Sequence, residues 1–578
     1  MEDNNEYEQE RLKIIAENEK LLTSLGLNGF SSNAPSSRAS SSTPASKRKA
    51  PANGKHEPTK KKAKIVAPPP ARLSMRLRGQ QAKTEEDVQA IEEFNANLEK
   101  ENQRNRYLAK KIRKPVMELG EMMDEEEDEK DVNKIKDLQT VFHDLSLKDF
   151  PRPSGMNRDY DDLEPASAAA QAADLSLRQL YGKVRYIDEV KATAGRSYSL
   201  IVHPEKTKCL VISGDKRGQL GIWDADANAQ GVADEDEEDS PTNNVWRVQA
   251  HQASAISCLR WNPVNSQTLY TASYDCSLRR FDLATATSTE VYSTPDVDAL
   301  FNQFDLTPDG DQVWLSDSDG GMNHLDMREG KHIRRRYVIA ESPSAAGKKV
   351  GGFSINPVEP WLVCSAHNDR NMRIWDLRHI DKVKMQPFEF EEGPKPAEGI
   401  EPPHDSETYP TQNCEWDAIS EYEAKKPKAR ILRARAPHGL SCSAAFWDMS
   451  GKRILTTSYD DRIRVWDANP SKFVDNSPTR NLTEVWQARH DTQVGRWVTV
   501  FKAQWSPYAD IAPHIMVGNM KRRLTILSGL TGSVIGDFSY NTITAVPAVH
   551  AMHPNRPGTV LGANASGKVM RFAVVEDE

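Results

Sequence analysis

From about residue 180 onward the chain breaks into short apolar runs separated by polar turns, and the runs recur in a fixed order. A first run ends near x-Pro. A second closes on a turn of small residues and Asp. A third ends in an aromatic or aliphatic residue followed by Asp. SLIVHP with LVISGDKRGQLGIWD runs to Asp224, ISCLRWNP with LYTASYDCSLRRFD to Asp282, and FNQFDLTP with VWLSDSDGGMNHLD to Asp326. GGFSINP with LVCSAHNDRNMRIWD runs to Asp376, and SCSAAFWD with ILTTSYDDRIRVWD to Asp467. FKAQWSP with IMVGNMKRRLTIL and VHAMHP with VLGANASGKVMRF complete seven units. Strands this short, at this period, predict an all-β fold: a seven-bladed β-propeller with four strands per blade. Residues 180–192, around LYGKVRYIDEV, are placed to supply the strand that closes the ring, and closure removes sheet edges.

Two intervals exceed one blade. The first, 225–244, is acidic; the second, 381–428, is rich in Pro and Glu. The second is long enough for an eighth blade, but it lacks a strand–turn–strand pattern and reads as an inserted loop. The propeller is therefore expected over 176–578, preceded by a largely disordered, partly helical region. Residues 1–26 contain a short amphipathic helix, with Leu12, Ile15, Leu21, Leu22 and Leu25 near helical spacing and Gly26 as a stop. Residues 27–175 read as disordered and charged, helix-like over 84–112. Ser, Pro, Ala and Lys over 27–71 bury too little apolar surface to offset the entropy of ordering.

Charge is segregated. The net value of −8 hides 13 Lys/Arg against one acid over 38–83, and the acidic runs EEEDE (125–129) and DEDEED (234–239). The clusters SKRK and KKKAK within 46–64 have the spacing of a bipartite nuclear-import signal, carried by Lys47, Arg48, Lys49, Lys60, Lys61, Lys62 and Lys64. The same run could bind DNA without sequence preference. Six scattered cysteines form no C-x-x-C pair, which points to reduced thiols in an intracellular protein and away from a zinc site. No apolar run of membrane-spanning length and no signal peptide is legible. No catalytic order, metal cluster or phosphate loop stands out, so neither an enzyme nor a cofactor is expected.

The repeats resemble the WD40 family. That resemblance implies that each turn before a third strand, and the loop entering each blade, lie on one face of the disc. Turn aspartates are expected to pair internally, His251 with Asp275 and His438 with Asp460. Asp275, Asp319, Asp369 and Asp460 hold the turn position in blades two to five, but blade one has Arg217 there and blade six Lys521. Neighbouring turns add Lys216, Arg370 and Arg522; the entering loops add Arg196, Lys348, Lys349, Arg496 and Trp497. Cations neutralise phosphates and an aromatic stacks on bases, so this face is a candidate DNA-binding surface for double- or single-stranded DNA. On the opposite face two adjacent blades end in Asp-x-Arg, Asp326 with Arg328 and Asp376 with Arg378. This doubled signature resembles substrate receptors that dock on the adaptor of a cullin–RING ubiquitin ligase.

YEQERLKIIAENEKLLTSLGL, RLSMRLRG (72–79), IWDLR in blade four and GRWVTVFKAQWSP in blade six together resemble the fungal DNA damage-binding WD-repeat family of Cmr type. That family is akin to the propeller subunit of the UV-damaged-DNA-binding complex. The resemblance implies a nuclear protein that binds DNA, preferentially UV-damaged, in DNA metabolism or the damage response. The alternatives are a ubiquitin-ligase substrate receptor and a histone or chromatin-scaffold propeller.

Overall fold

The second strands of the repeats are buried along their whole length because each lies between two neighbouring blades. Leu210–Asp215, Thr268–Ser273, Leu362–His367 and Arg453–Ser458 are buried at every position. Sheets covered on both faces need continuous rather than alternating runs. The computed structural model describes residues 114–123, 129–145, 158–227, 244–252, 254–294, 299–329, 334–387, 411–473, 479–495 and 498–575.

Seven sheets form the ring. Blade one runs from the inner strand Ser197–Val202 through Leu210–Asp215 and Gln219–Asp224 to the outer Val245–Gln249. Blades two to seven begin with Ile256–Trp261, Phe301–Leu306, Val350–Ile355, Cys442–Trp447, Gln504–Trp505 and Val549–Met552. The outer strand of blade seven is Val184–Lys191. It pairs antiparallel with Lys568–Val574, Val184 opposite Val574 and Lys191 opposite Lys568, so the chain closes the ring with the segment expected from sequence.

Inner strands are tied to one another by side chains that reach the next backbone. The Ser199 hydroxyl donates to Ile256 O at 2.8 Å and Ser257 to Phe301 O at 2.6 Å. In the other direction the Trp261 and Trp505 indoles donate to Val202 O and Phe446 O, each at 3.0 Å. The tryptophans of the W-x-P motifs are therefore staples between blades. Five inner strands also carry a register shift at the same place, before Ser199, Cys258, Gln303, Gly352 and Ala444. Such bulges re-aim the residues that follow them, and Ser199 there reaches the backbone of the next blade.

The structure departs from the expected disorder of 27–175. Val116–Glu118 adds a fifth strand to blade two, held by the fully buried Arg279, whose Nη1 donates to Lys114 O at 2.9 Å. Leu138, Phe142 and Leu145, from helix Glu129–His143 and just beyond it, bury against blades one and two; Phe142 meets Phe281 edge-on at 5.9 Å. Helix Ala168–Gly182 starts at Ser167, whose side chain accepts from Ala170 N. It buries Ala170, Ala173, Leu177 and Tyr181 with Met516, Leu524, Phe538 and Phe572. These short segments take their order from the propeller surface, which their own composition does not reveal. The proposed helix in 1–26, the helix-like 84–112 and the import-like residues of 46–64 lie outside the described residues.

The interval 381–428 contains no eighth blade among its described residues, yet it is more than a loop. Thr411–Cys414 pairs parallel with Arg334–Val338 at the edge of blade three, and Gln386–Pro387 pairs with it in turn. Helix Trp416–Lys425 buries Ile419, and the Glu423 carboxylate accepts from Ile431 N at 2.7 Å and Leu432 N at 2.8 Å. Of the interval 225–244, only residues 225–227 and 244 are described.

Candidate nucleic-acid interface

In every blade the turn between the second and third strands has one residue at positive φ. These are Gly218, Cys276, Gly320, Arg370, Asp461, Arg522 and Gly567, with φ between 61° and 85°. The left-handed region favours glycine. At Gly218 glycine is required, since a β-carbon would lie 1.9 Å from His251 O.

The residue before this position is an aspartate in four blades, and in blades two, four and five its carboxylate holds neighbouring groups of the propeller. Asp275 Oδ1 accepts from Ser277 N, and its Oδ2 meets His251 Nδ1 at 3.0 Å, as the sequence suggested. Asp369 binds Arg373 at 2.6 Å and Asp460 binds Arg464 at 2.8 Å, both arginines being largely buried strand residues. The expected His438–Asp460 bond does not form. His438 turns to Ala436 O and Thr456 Oγ1, while Asp460 takes Gly439 N and the stronger donor Arg464.

Blades one and six hold the turn from an earlier acceptor, as blade three does with Asp317 and blade seven with Asn564. In blade one the acceptor sits two residues earlier. Asp215 Oδ1 takes Arg217 N at 2.7 Å and Gln219 N at 2.9 Å, and its Oδ2 takes Gly195 N at 3.1 Å. In blade six Asn519 Oδ1 takes Lys521 N at 2.9 Å and Arg523 N at 3.3 Å. With the amides satisfied from below, the turn position needs no carboxylate, and Arg217 and Lys521 occupy it as exposed cations.

The other expected residues gather around the same turns. Lys216 and Arg370 are exposed, as is Arg522, and the side chains of Lys216, Arg370, Lys521 and Arg522 form no ion pair among the described residues. Lys216 N donates to Arg196 O at 2.9 Å, and Asn368 N to Lys349 O at 3.0 Å, which joins entering loops to turns. The exposed Lys348 lies beside the turn of blade three, its carbonyl 3.2 Å from the site of a Gly320 β-carbon. The half-buried Arg196 donates to Tyr198 OH at 2.8 Å. Arg496 and Trp497 lie outside the described residues.

Three tyrosines at this rim were not singled out from sequence. Tyr198 and Tyr274 meet edge-on at 6.1 Å, and the Lys349 ammonium lies 5.6 Å from the centre of the Tyr274 ring. Burial raises the phenol of Tyr459, and the nearby Tyr274 adds to the shift. The recurrent tetrapeptides ASYD (272–275) and TSYD (457–460) were the available signal. Cations beside partly exposed aromatic rings form a surface able to hold phosphates and stack bases.

On the opposite face the two Asp-x-Arg pairs have one geometry. Arg328 Nη2 donates to Asp326 Oδ2 at 2.7 Å and Nε to Oδ1 at 3.0 Å; Arg378 does the same to Asp376 at 2.6 and 3.0 Å. Arg328 holds the Asp326 carboxyl down at about 2. The Arg378 guanidinium also stacks 3.6 Å over Trp361. Each arginine is thus anchored along one edge of its fork, Arg328 Nη1 also lying 3.6 Å from Asp311 Oδ2, with the side chains 60% and 43% exposed.

The WD domain, G-beta repeat family matches residues 242–282 and 431–467, within blades one and two and blades four and five. Over 99% of both chains the sequence is 37% identical to the DNA damage-binding protein CMR1 of Cryptococcus neoformans. It is 27% identical to that of Mycosarcoma maydis, over 98% of this chain and 99% of the relative. Against that of Phaeosphaeria nodorum the identity is 29%, over 98% and 97%. Likeness at this level from end to end covers the N-terminal segments as well as the propeller, and the chain belongs to the CMR1 family of WD-repeat proteins.

Proposed function

We propose that this protein binds DNA through the cationic propeller face, with a preference for UV-damaged duplex, and acts in the nucleus in DNA metabolism or the damage response. The observation that carries this reading is the gathering of the exposed cations Lys216, Arg217, Arg370, Lys521 and Arg522 on the turns after the second strands, with Arg217 and Lys521 at the position that four other blades give to a carboxylate. The relatives' shared name, DNA damage-binding protein, supports it. Phosphate contacts give affinity without sequence information, and Tyr198, Tyr274 and Tyr459 would meet bases unstacked at a lesion. The role is that of a binding protein and not of an enzyme.

The test titrates the full-length protein with matched undamaged and UV-irradiated duplexes at two salt concentrations. Arg217→Glu, Lys521→Glu and Arg522→Glu combined should weaken binding at least about tenfold and flatten the salt dependence by about two to three charges. A second variant, with Lys47, Arg48, Lys49, Lys60, Lys61, Lys62 and Lys64 changed to Ala, should retain damaged-DNA preference but lose nuclear import. Binding that survives the first variant and vanishes in the second places DNA on the tail and overturns the reading.

The matching forks favour a second role on the opposite face, docking to the adaptor of a cullin–RING ligase. Each guanidinium is held rigid by its aspartate, so its outer edge meets a partner with little further loss of freedom. Arg328→Glu with Arg378→Glu should abolish adaptor binding and leave DNA affinity unchanged; retained adaptor binding refutes this role. The basic histone tails offered by the alternative reading would instead require the acidic run 234–239.

A further inference from the structure

Behind the Asp-x-Arg face the central channel widens into a cavity of about 340 Å³. One position of the repeat builds much of its wall. Ile201, Arg260, Asp305, Gln504 and Ala551 each stand three residues before the proline that follows their inner strand. Pro263, Pro507 and Pro554 form the rim with Met449, which takes the proline's place in blade five. The register puts this rim at the Arg328 and Arg378 end, since Leu306 pairs with Val313 and the adjoining Gln312 lies opposite Asp326. Trp261, Trp505, Leu306 and Met552 make the rest of the lining largely apolar. Apolar surface continues outside the rim: Val264 is 58% exposed and Val358 38%, in the loops that follow Pro263 and Pro357.

Two cations belong to this cavity and one carboxylate stands against them. Arg260 lines it with Nε 3.6 Å from Asp305 Oδ1, longer than a hydrogen bond. Both Asp305 oxygens are already engaged, Oδ1 by Leu306 N at 3.1 Å and Oδ2 by Ile355 N at 3.0 Å. One level deeper, Lys502 Nζ donates to Gln303 Oε1 at 2.9 Å. Blades six and three stand on opposite sides of the ring, so this bond crosses the channel. Gln303 is neutral, and among the described residues Lys502 forms no ion pair. Burial brings its amine down to about 8. A desolvated ammonium among neutral groups is stabilised by an anion that reaches it. Gln303 and Asp305 are two residues apart on one strand, about 6.6 Å at the usual rise. One carboxylate bridges such a gap, with an oxygen on the Arg260 fork and the other on Lys502.

We propose that this cavity takes an acidic peptide of a protein partner, a glutamate carboxylate bridging Arg260 and Lys502 while a neighbouring apolar residue packs on Trp261, Trp505 and Met449. The single charge of a carboxylate matches the one cation that Asp305 leaves unanswered. The Arg260 fork keeps its Nε edge toward Asp305 and offers its outer edge to the ligand. The apolar loops outside the rim favour a peptide over a small acid, which would leave Val264 and Val358 uncovered. A concave, mostly apolar site with a few convergent polar groups is the usual form of a ligand pocket. This site is independent of the DNA-binding reading.

The experiment titrates the full-length protein, by calorimetry, with short, terminally blocked peptides carrying Leu-Glu, Leu-Gln or Ala-Glu at their centre. The Leu-Glu peptide should bind at least about tenfold tighter than the Leu-Gln peptide and at least about fivefold tighter than the Ala-Glu peptide. Lys502→Met should erase the preference for Glu over Gln and keep the preference for Leu over Ala. It should leave the thermal midpoint unchanged or higher, since it removes a buried charge that has no counter-ion. Arg260→Gln should weaken the Leu-Glu peptide at least about fivefold. Equal affinity for the Glu and Gln peptides, a Glu preference that survives Lys502→Met, or no binding by any of the three overturns the proposal. Tighter binding of hexanoate than of the Leu-Glu peptide assigns the cavity to a small carboxylic acid and overturns the peptide as its ligand.

Discussion

Arg370 and Arg522 show what one residue can reveal. Both hold the left-handed turn position that Gly218, Gly320 and Gly567 hold in other blades, at φ 74° and 61°. A β-carbon there costs on the order of 1 kcal/mol. Asp461 offsets that cost by accepting from Thr492 N at 3.1 Å. The two arginine side chains have no ion pair among the described residues, so strain is retained where a cation is presented. Arg370→Gly and Arg522→Gly should therefore leave the thermal midpoint unchanged or higher, while each lowers DNA affinity and removes about one unit from the salt slope. A fall in the midpoint without a change in affinity would make these arginines structural. Asp215 has the opposite character. It is buried and accepts three backbone amides, so Asp215→Ala should cost about 2–3 kcal/mol in chemical denaturation and misplace Arg217 as well.

At the scale of elements, helix Ala168–Gly182 leads directly into the strand that closes the ring. Leu177 is 1% exposed within it, and Tyr181 OH meets His514 Nε2 at 2.6 Å. Leu177→Ala should destabilise the whole propeller by about 2–5 kcal/mol, since loosening the helix loosens Val184–Lys191; a change confined to local helix fraying, seen by hydrogen exchange, would show the ring closes independently. This helix was illegible in the sequence because its buried face is mostly alanine and tyrosine, which the alternation test does not weigh. Thr411–Cys414 was illegible for another reason: TQNC is polar, and its strand character comes from register with Arg334–Tyr337. The blades were readable because strands buried on both faces must be continuously apolar and their turns must carry Gly or Asp. The cationic turns were readable as departures from that rule. The tyrosine rim was not, since an aromatic ending a strand reads as core. The His438–Asp460 pairing failed because Arg464, four residues beyond Asp460, competes for the same carboxylate.

For the whole molecule, the ring's many buried imidazoles make its stability depend on pH. Burial lowers His203, His324, His438, His514, His550 and His553 to about 4, and His367 to about 3. An unfolded histidine titrates near 6.5. Between these values the unfolded chain binds protons that the native ring refuses, so stability is full above about pH 6.5 and declines as the pH falls toward 4. These residues lie in five of the seven blades and the sheets pack face to face around one channel, so protonation at any of them acts on a shared transition. The combined loss should reach several kcal/mol, on the order of one per group or more. Thermal unfolding followed by circular dichroism should show the midpoint nearly constant from pH 7 to 8 and falling continuously from pH 6.5 to 4.5. The fall should become shallower in His514→Gln, which keeps a hydrogen-bonding group beside Tyr181 without the titration. A midpoint that is flat across that range would mean the imidazoles are answered by acceptors when protonated, and the ring would be stable to acid.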